Sequence, residues 1–126
     1  MEVFGDKEHK IIFADAIEAL NSIEDNSIDL IFADPPYNIG KNFNGHIEKW
    51  EFEEDYLNWC YEWLELCIKK LKPYGGLYVM TATQYMPYFD IFLRKKMEIL
   101  SRIVWSYDSS GVQAKKYFGS MYEPIL

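Results

Sequence analysis

The sequence predicts an α/β domain with a mostly parallel sheet and helices on both faces. Three observations carry that expectation. Short apolar runs alternate with helical periodicities along the chain. One run, Ile28-Asp29-Leu30-Ile31-Phe32-Ala33, is apolar almost throughout, as in a strand covered on both sides. The chain has 126 residues, which is room for one domain. Crossovers in such a sheet are right-handed, and ligands gather outside the carboxyl ends of its strands.

Each element follows from local pattern. Lys10 to Ala14 reads as a strand, and Asp15 is a good N-cap for the helical spacing of Ala16, Ile17, Ala19, Leu20 and Ile23. Glu24-Asp25-Asn26-Ser27 is turn-like, and the apolar run that follows stops at Asp34-Pro35-Pro36-Tyr37. Residues 38–52 are rich in Asn, Gly and charge, which predicts an irregular loop able to close over a ligand. A long helix comes next, since Tyr56, Leu57, Cys60, Trp63, Leu64, Cys67, Ile68 and Leu71 recur three and four apart. Glu53 and Glu54 at its start and Lys69, Lys70 and Lys72 at its end suit the helix dipole, and Pro73 with Gly75-Gly76 should terminate it. Leu77 to Met80 then reads as a strand, Gln84 to Lys96 as a helix, and Ile99 to Tyr107 as an alternating strand. A polar loop around Ser109-Ser110-Gly111 precedes a last strand-like segment, Met121 to Leu126.

Composition narrows the function. Hydrophobic residues make up 49% and charged residues 26%, with 7 Gly and 5 Pro, which excludes collagen and disordered tethers. The net charge of −7 is wrong for a protein that coats nucleic acid, so any such contact is local. Residues 1–89 hold 7 basic and 16 acidic side chains, whereas residues 90–126 hold 6 and 4. Phosphate contacts are therefore expected from the later part, with Lys115 and Lys116 as leading candidates. Cys60 and Cys67 lie on the apolar helix stripe and His46 has no partner at ligand spacing, so no disulfide framework and no metal site is expected. No apolar run approaches the ~20 residues of a membrane span, and the expected location is cytoplasmic. The 10 Tyr, 8 Phe and 4 Trp are too many for the core alone, and some should face a cleft or a partner.

The chemistry concentrates at Asp34-Pro35-Pro36-Tyr37, a carboxylate, two carbonyls without their own N–H groups, and a phenol at the mouth of a sheet. Proline fixes φ and biases its predecessor to extended geometry, so the segment's carbonyls hold a set direction. A fixed carboxylate and a fixed carbonyl suit an exocyclic amine, whose two hydrogens they can accept. The lone pair of such a nitrogen is delocalised into its ring, and two acceptors favour the pyramidal form in which it is localised. The plainer reading is a rigid strand-ending turn, and Asp15 has a matching plain reading as a helix cap.

The segment Ile28-Asp-Leu-Ile-Phe-Ala-Asp-Pro-Pro-Tyr-Asn-Ile-Gly40 resembles the catalytic motif of amino-group DNA methyltransferases. The likeness continues through Trp63, Leu71-Lys-Pro-Tyr-Gly-Gly-Leu-Tyr78, Ser101 to Lys116 and Met121 to Leu126, nearly the whole chain from Ile11. The motif points to the DPPY type with permuted motif order, specific for adenine N6, and the later segments look closest to solitary bacterial enzymes that modify ATGCAT-like palindromes. The resemblance implies a Rossmann-like fold, S-adenosylmethionine as cofactor, double-stranded DNA as partner, and a flipped-out target base. It also implies roles. Asp34 and the Pro35 carbonyl would accept the N6 hydrogens, Pro36 would hold the loop, and Tyr37 would offer a stacking face. Asp15, Ala16 and Asp34 would meet the cofactor, and Asn38 and Lys41 in the following loop would contact DNA. Transfer would be direct, with no cysteine nucleophile. Members of this family are often homodimers.

The family's Phe-x-Gly-x-Gly segment and its recognition region, which follow the DPPY motif in the permuted order, have no counterpart here. The expectation is the amino-terminal part of a longer enzyme, inactive and weak in cofactor binding by itself. Cytosine-N4 or RNA amino groups are alternative acceptors, and a non-catalytic α/β interaction module is the alternative from another class.

Overall fold

The computed structural model describes residues 1–40, 42–47, 49–108 and 119–126. In chain order its elements are β1 (Glu2–Gly5), β2 (Lys10–Phe13), α1 (Ala16–Asn21), β3 (Ile28–Ala33), β4 (Asn42–Phe43), β5 (His46–Ile47), α2 (Glu53–Lys70), β6 (Leu71–Val79), α3 (Met86–Arg94), β7 (Ile103–Ser106) and β8 (Tyr122–Ile125). They fall into two compact units, one of residues 1–31 and 58–77, the other of residues 32–57 and 78–126.

In the first unit, β1 and β2 form an antiparallel hairpin, from Glu2 opposite Phe13 to Gly5 opposite Lys10. Its turn is closed by the Asp6 carboxylate, whose Oδ1 accepts the backbone N–H groups of Glu8 (2.8 Å) and His9 (2.7 Å). Gly5 sits at φ +126°, and a Cβ there would stand 2.0 Å from the His9 carbonyl oxygen, so no other residue fits. Asp15 caps α1 as its sequence predicts, accepting from the Ile17 N–H at 2.9 Å. The helix stops at Asn21, short of the expected Ile23.

The end of α2 is tied to the turn before β3. Backbone N–H groups of Asn26 and Ser27 donate to the carbonyls of Lys69 (3.1 Å) and Lys70 (2.9 Å), two of the carbonyls a helix end leaves unpaired. The Lys70 ammonium is buried and lies 2.7 Å from Asp25 Oδ1, a hydrogen bond that holds the Asp25 carboxyl below its ordinary range. β6 starts at Leu71 without an intervening loop, so Pro73 and Gly75-Gly76 lie inside a strand. The sequence predicted them as helix terminators. A Cβ on Gly75 would come within 3.1 Å of the Ile28 and Asp29 carbonyl oxygens, which is why this strand approaches β3 through glycine.

β3 and β6 are hydrogen-bonded neighbours. Gly75 lies beside Ile28 and Asp29, Gly76 beside Leu30, and the Met80 N–H donates to the Ala33 carbonyl at 2.9 Å, so the two strands run the same way. With α2 between them they form the β-α-β unit that the alternating pattern predicts. The other paired strands with a defined register are antiparallel, and alternation did not anticipate them. β1 reaches β2 through a turn too short for a crossover, and β8 returns against both β6 and β7.

In the second unit the end of β6 lies between β3 and β8. Val79 and Leu126 exchange both N–H···O bonds at 2.9 Å, and Met80 bridges Ile125 in antiparallel sense. β8 then pairs with β7, Trp105 opposite Glu123. Residues 38–52 are not the irregular loop their polarity suggests, because β4 and β5 form a hairpin turning at Asn44 and Gly45, both at positive φ. Asn-Gly is a strong hairpin signal in its own right.

α3 spans Met86–Arg94, inside the expected Gln84–Lys96, and buries Phe89, Leu93 and Asp90. The Asp90 carboxylate is bonded by the Arg94 guanidinium and by Arg102, whose Nε lies 2.5 Å from Oδ2. Those two cations, Arg102 foremost, hold the Asp90 carboxyl down at about 2. Because the folded value lies below the ordinary 3.8, the stability it contributes is complete above about pH 4 and is lost as pH falls through about 2. Thermal melts of the natural polypeptide carrying this chain, between pH 5 and pH 2, should show a midpoint that falls with pH. Asp90→Asn should melt several degrees lower near neutrality and show a shallower acid dependence.

Candidate active site

The site is built where β3 leaves its sheet. Ala33 still accepts a ladder bond from Met80, but Pro35 and Pro36 have no N–H to extend the ladder, and the chain turns out at Asp34. Asp34 is exposed and the two prolines are half-buried.

Tyr37 turns inward. Its ring is 9% exposed and packs with Met80, Ile125 and Ala82, while its hydroxyl donates to Asp34 Oδ1 at 2.9 Å. Glu123 Oε2, from β8, lies 3.4 Å from the same hydroxyl. Burial first, then the charges of Asp34 and Glu123, push the phenol well above its ordinary value, so it stays protonated and acts as a donor. The open stacking face expected of Tyr37 is therefore not present. The ring is a buried wedge whose polar tip orients the neighbouring carboxylate.

Asn38 also differs from expectation. It sits at φ +56°, a left-handed conformation that Asn tolerates, and is only 8% exposed. Its Oδ1 accepts the Trp50 backbone N–H at 2.7 Å and its Nδ2 donates to the Tyr85 hydroxyl at 3.0 Å. An amide engaged in this way is a clamp on the loop. The Tyr56 hydroxyl, from the first turn of α2, donates to the Pro36 carbonyl at 2.7 Å. Its ring packs tilted against Tyr85 and Trp50, with centroids 4.8 and 4.9 Å away.

Tyr56, Tyr85 and Glu123 were missed as site residues by sequence reasoning, whereas Trp50 falls in the 38–52 loop expected to close over a ligand. Tyr56 sits on the helix stripe and reads as core, which it also is. Glu123 had a usable signal, a lone acid in an otherwise apolar and aromatic strand. Lys41, Lys115 and Lys116 lie outside the described residues.

In the first unit, Asp15 and Ala16 are exposed at the exit of β2. The Oδ1 of Asp15 serves the helix cap, and among the described residues nothing engages its Oδ2. No group of three or more His, Cys, Asp or Glu among the described residues could hold a metal ion. None of the described helices is long and apolar enough to cross a membrane. Cys60 and Cys67 are buried on α2, and burial pushes the Cys67 thiol up to about 11.

A family model described as DNA methylase, N6_N4_Mtase, matches residues 28–126. The chain belongs to this DNA methylase family. It is 55% identical over 123 residues to the DNA adenine methyltransferase YhdJ of Escherichia coli K12, an alignment covering 98% of this chain and 42% of that protein. It is 35% identical over 121 residues to the type II methyltransferase M.HpaI of Haemophilus parainfluenzae, covering 94% of this chain and 38% of that protein. Among solved structures, the PvuII DNA methyltransferase, described as cytosine-N4-specific, superposes with a TM-score of 0.66 over 89% of this chain and 45% of its own, at 20% identity. That likeness shows the methyltransferase α/β fold. The methylase chain spans about two fifths of the length of these curated relatives.

The Asn38 clamp can be tested by stability. Asn38→Ala strands the Trp50 N–H and the Tyr85 hydroxyl and forces a Cβ-bearing residue without a local amide into left-handed geometry, and should cost about 1–3 kcal/mol in denaturant unfolding. Asn38→Gly loses the same bonds but relieves the backbone, and should recover about 1 kcal/mol of that loss.

Proposed function

We propose that this chain carries the amine-binding part of an S-adenosylmethionine-dependent DNA adenine-N6 methyltransferase of the DPPY type with permuted motif order. The single observation that carries the reading is the Asp34 carboxylate at the exit of β3, exposed on one side and fixed from behind by the Tyr37 hydroxyl at 2.9 Å. With Oδ1 taken by the phenol, Oδ2 is the oxygen available to a substrate. Among the described residues no hydrogen bond reaches the Pro35 carbonyl, whereas the Pro36 carbonyl is held by Tyr56. One carboxylate oxygen and one carbonyl oxygen are thus open to the two hydrogens of an exocyclic amine.

Both acceptors bind more strongly as that nitrogen becomes pyramidal and its hydrogens more acidic, so they favour the transition state over the flat ground state. The cofactor, when bound, supplies an electrophilic methyl group on a sulfonium. Asp34 fits such a ligand chemically, since it is an exposed carboxylate at a strand end and the cofactor's amino and ammonium groups are donors; Asp15, considered by itself in the first unit, is likewise an exposed carboxylate that suits a hydroxyl donor. Adenine as the acceptor base is supported by the 55% identity to a protein named as an adenine methyltransferase. The likeness to a cytosine-N4 enzyme, at 20% identity, bears on fold alone.

The reading is tested in the natural polypeptide that carries this chain, by nucleoside mass spectrometry of DNA after incubation with S-adenosylmethionine. Asp34→Ala should lower the rate of N6-methyladenine formation by about 10³-fold or more, while leaving the melting temperature within a few degrees. Methylation near the wild-type rate in that variant, or N4-methylcytosine as the product, defeats the proposal.

A further inference from the structure

Tyr37 has one hydroxyl hydrogen and faces two carboxylates. The hydroxyl oxygen lies 2.9 Å from Asp34 Oδ1 and 3.4 Å from Glu123 Oε2, so it donates its hydrogen best to Asp34, and Glu123 takes the longer position. The ring cannot swing toward either, because it is packed with Met80 and Ile125, so only rotation about the phenolic C–O bond is left to it. Glu123 is fixed as firmly, two residues before Ile125 in β8, where Met80 bridges Ile125 and Val79 pairs with Leu126. Among the described residues neither Asp34 nor Glu123 is in an ion pair. Among the described residues, β7 sets Trp105 opposite Glu123 and the end of β6 brings Val79, Met80 and Thr81, none of which titrates. A half-buried carboxylate whose nearest donor is committed elsewhere is under-satisfied, which gives it a demand for that hydrogen.

We propose that Glu123 is a positioning residue for methyl transfer, the second acceptor to which the Tyr37 hydroxyl turns when Asp34 takes a proton from the methylated amine. The inference rests on the reading of Asp34 given above. In the step, the amine nitrogen forms a bond to the methyl carbon as the carbon–sulfur bond breaks and its electron pair goes to sulfur. The nitrogen then carries one proton too many, and that proton passes to Asp34 Oδ2. A neutral Asp34 carboxyl holds the phenol hydrogen weakly, and Glu123, still an anion, takes it. The second carboxylate thereby keeps the phenol satisfied in both protonation states of Asp34, and lowers the cost of the proton's arrival.

The test uses steady-state kinetics of the natural polypeptide carrying this chain, with Glu123→Gln, Tyr37→Phe and their combination. Glu123→Gln should lower kcat about tenfold, the worth of one charged hydrogen bond, with KM for DNA and for S-adenosylmethionine changed less than about twofold. The double variant should be no slower than Tyr37→Phe by itself within about twofold, since without the hydroxyl Glu123 has nothing to receive. If the Gln variant does not fold by circular dichroism, Glu123→Asp, which withdraws the carboxylate by one methylene, is read in the same way. A Glu123 variant with wild-type kcat, or a double variant showing the product of the two single losses, overturns the inference. Should Asp34→Ala retain activity, the reading of Asp34 fails first. If Asp34→Ala is inactive while Glu123→Gln keeps the wild-type kcat, only the role of Glu123 fails.

Discussion

The hydrogen bond from Tyr37 to Asp34 is the constraint on which the site depends. An exposed aspartate just past the end of a strand is otherwise a free rotor, and ordering it against a substrate would cost side-chain entropy at each encounter. Here the ordering is done in the folded state. The phenol fixes one carboxylate oxygen, and the phenol is itself fixed because its ring fills the space between Met80 and Ile125. That packing depends in turn on the antiparallel join of β6 and β8, so a strand pairing at the far end of the sequence sets the direction of a side chain at position 34.

The loop that carries Asp34 is over-determined from behind. Two prolines set its φ angles, Tyr56 holds the Pro36 carbonyl, and the Asn38 amide is closed on both sides by Trp50 and Tyr85. Holding the inner side in this way has a consequence for the outer side. Among the described residues the Asp34 Oδ2 and the Pro35 carbonyl accept no hydrogen bond, and the contacts behind them restrict their motion. A carboxylate and a carbonyl presented in this way rest on many supporting residues.

What was legible in the sequence followed local periodicity. The apolar run of β3, the stripe of α2 and the Asp15 cap each depend on spacing within one segment, and each stands where spacing puts it. The motif at 34–37 was legible for the same reason. The direction its side chains face was not, since Tyr37 and Asn38 turn inward because of Met80, Ile125, Trp50 and Tyr85, residues that no local pattern assigns to this loop. Pro73 and Gly75-Gly76 do follow the end of α2 at Lys70, and they also lie inside β6, which local pattern does not show. In isolation they are helix terminators, but here the glycines let β6 approach β3 more closely than a side chain would permit. The Asn44-Gly45 turn carries its own local signal, two adjacent residues suited to positive φ, against the polarity of its surroundings.

The electrostatics close the argument about Tyr37. Removing its proton would set a phenolate beside Asp34 and Glu123, three anions with no cation paired to either carboxylate among the described residues. Burial of the ring opposes the same charge, so the two effects add and the hydroxyl remains a donor at any ordinary pH. One hydrogen, always present, is then shared between two acceptors. The shorter separation, 2.9 Å to Asp34 against 3.4 Å to Glu123, makes Asp34 the nearer acceptor.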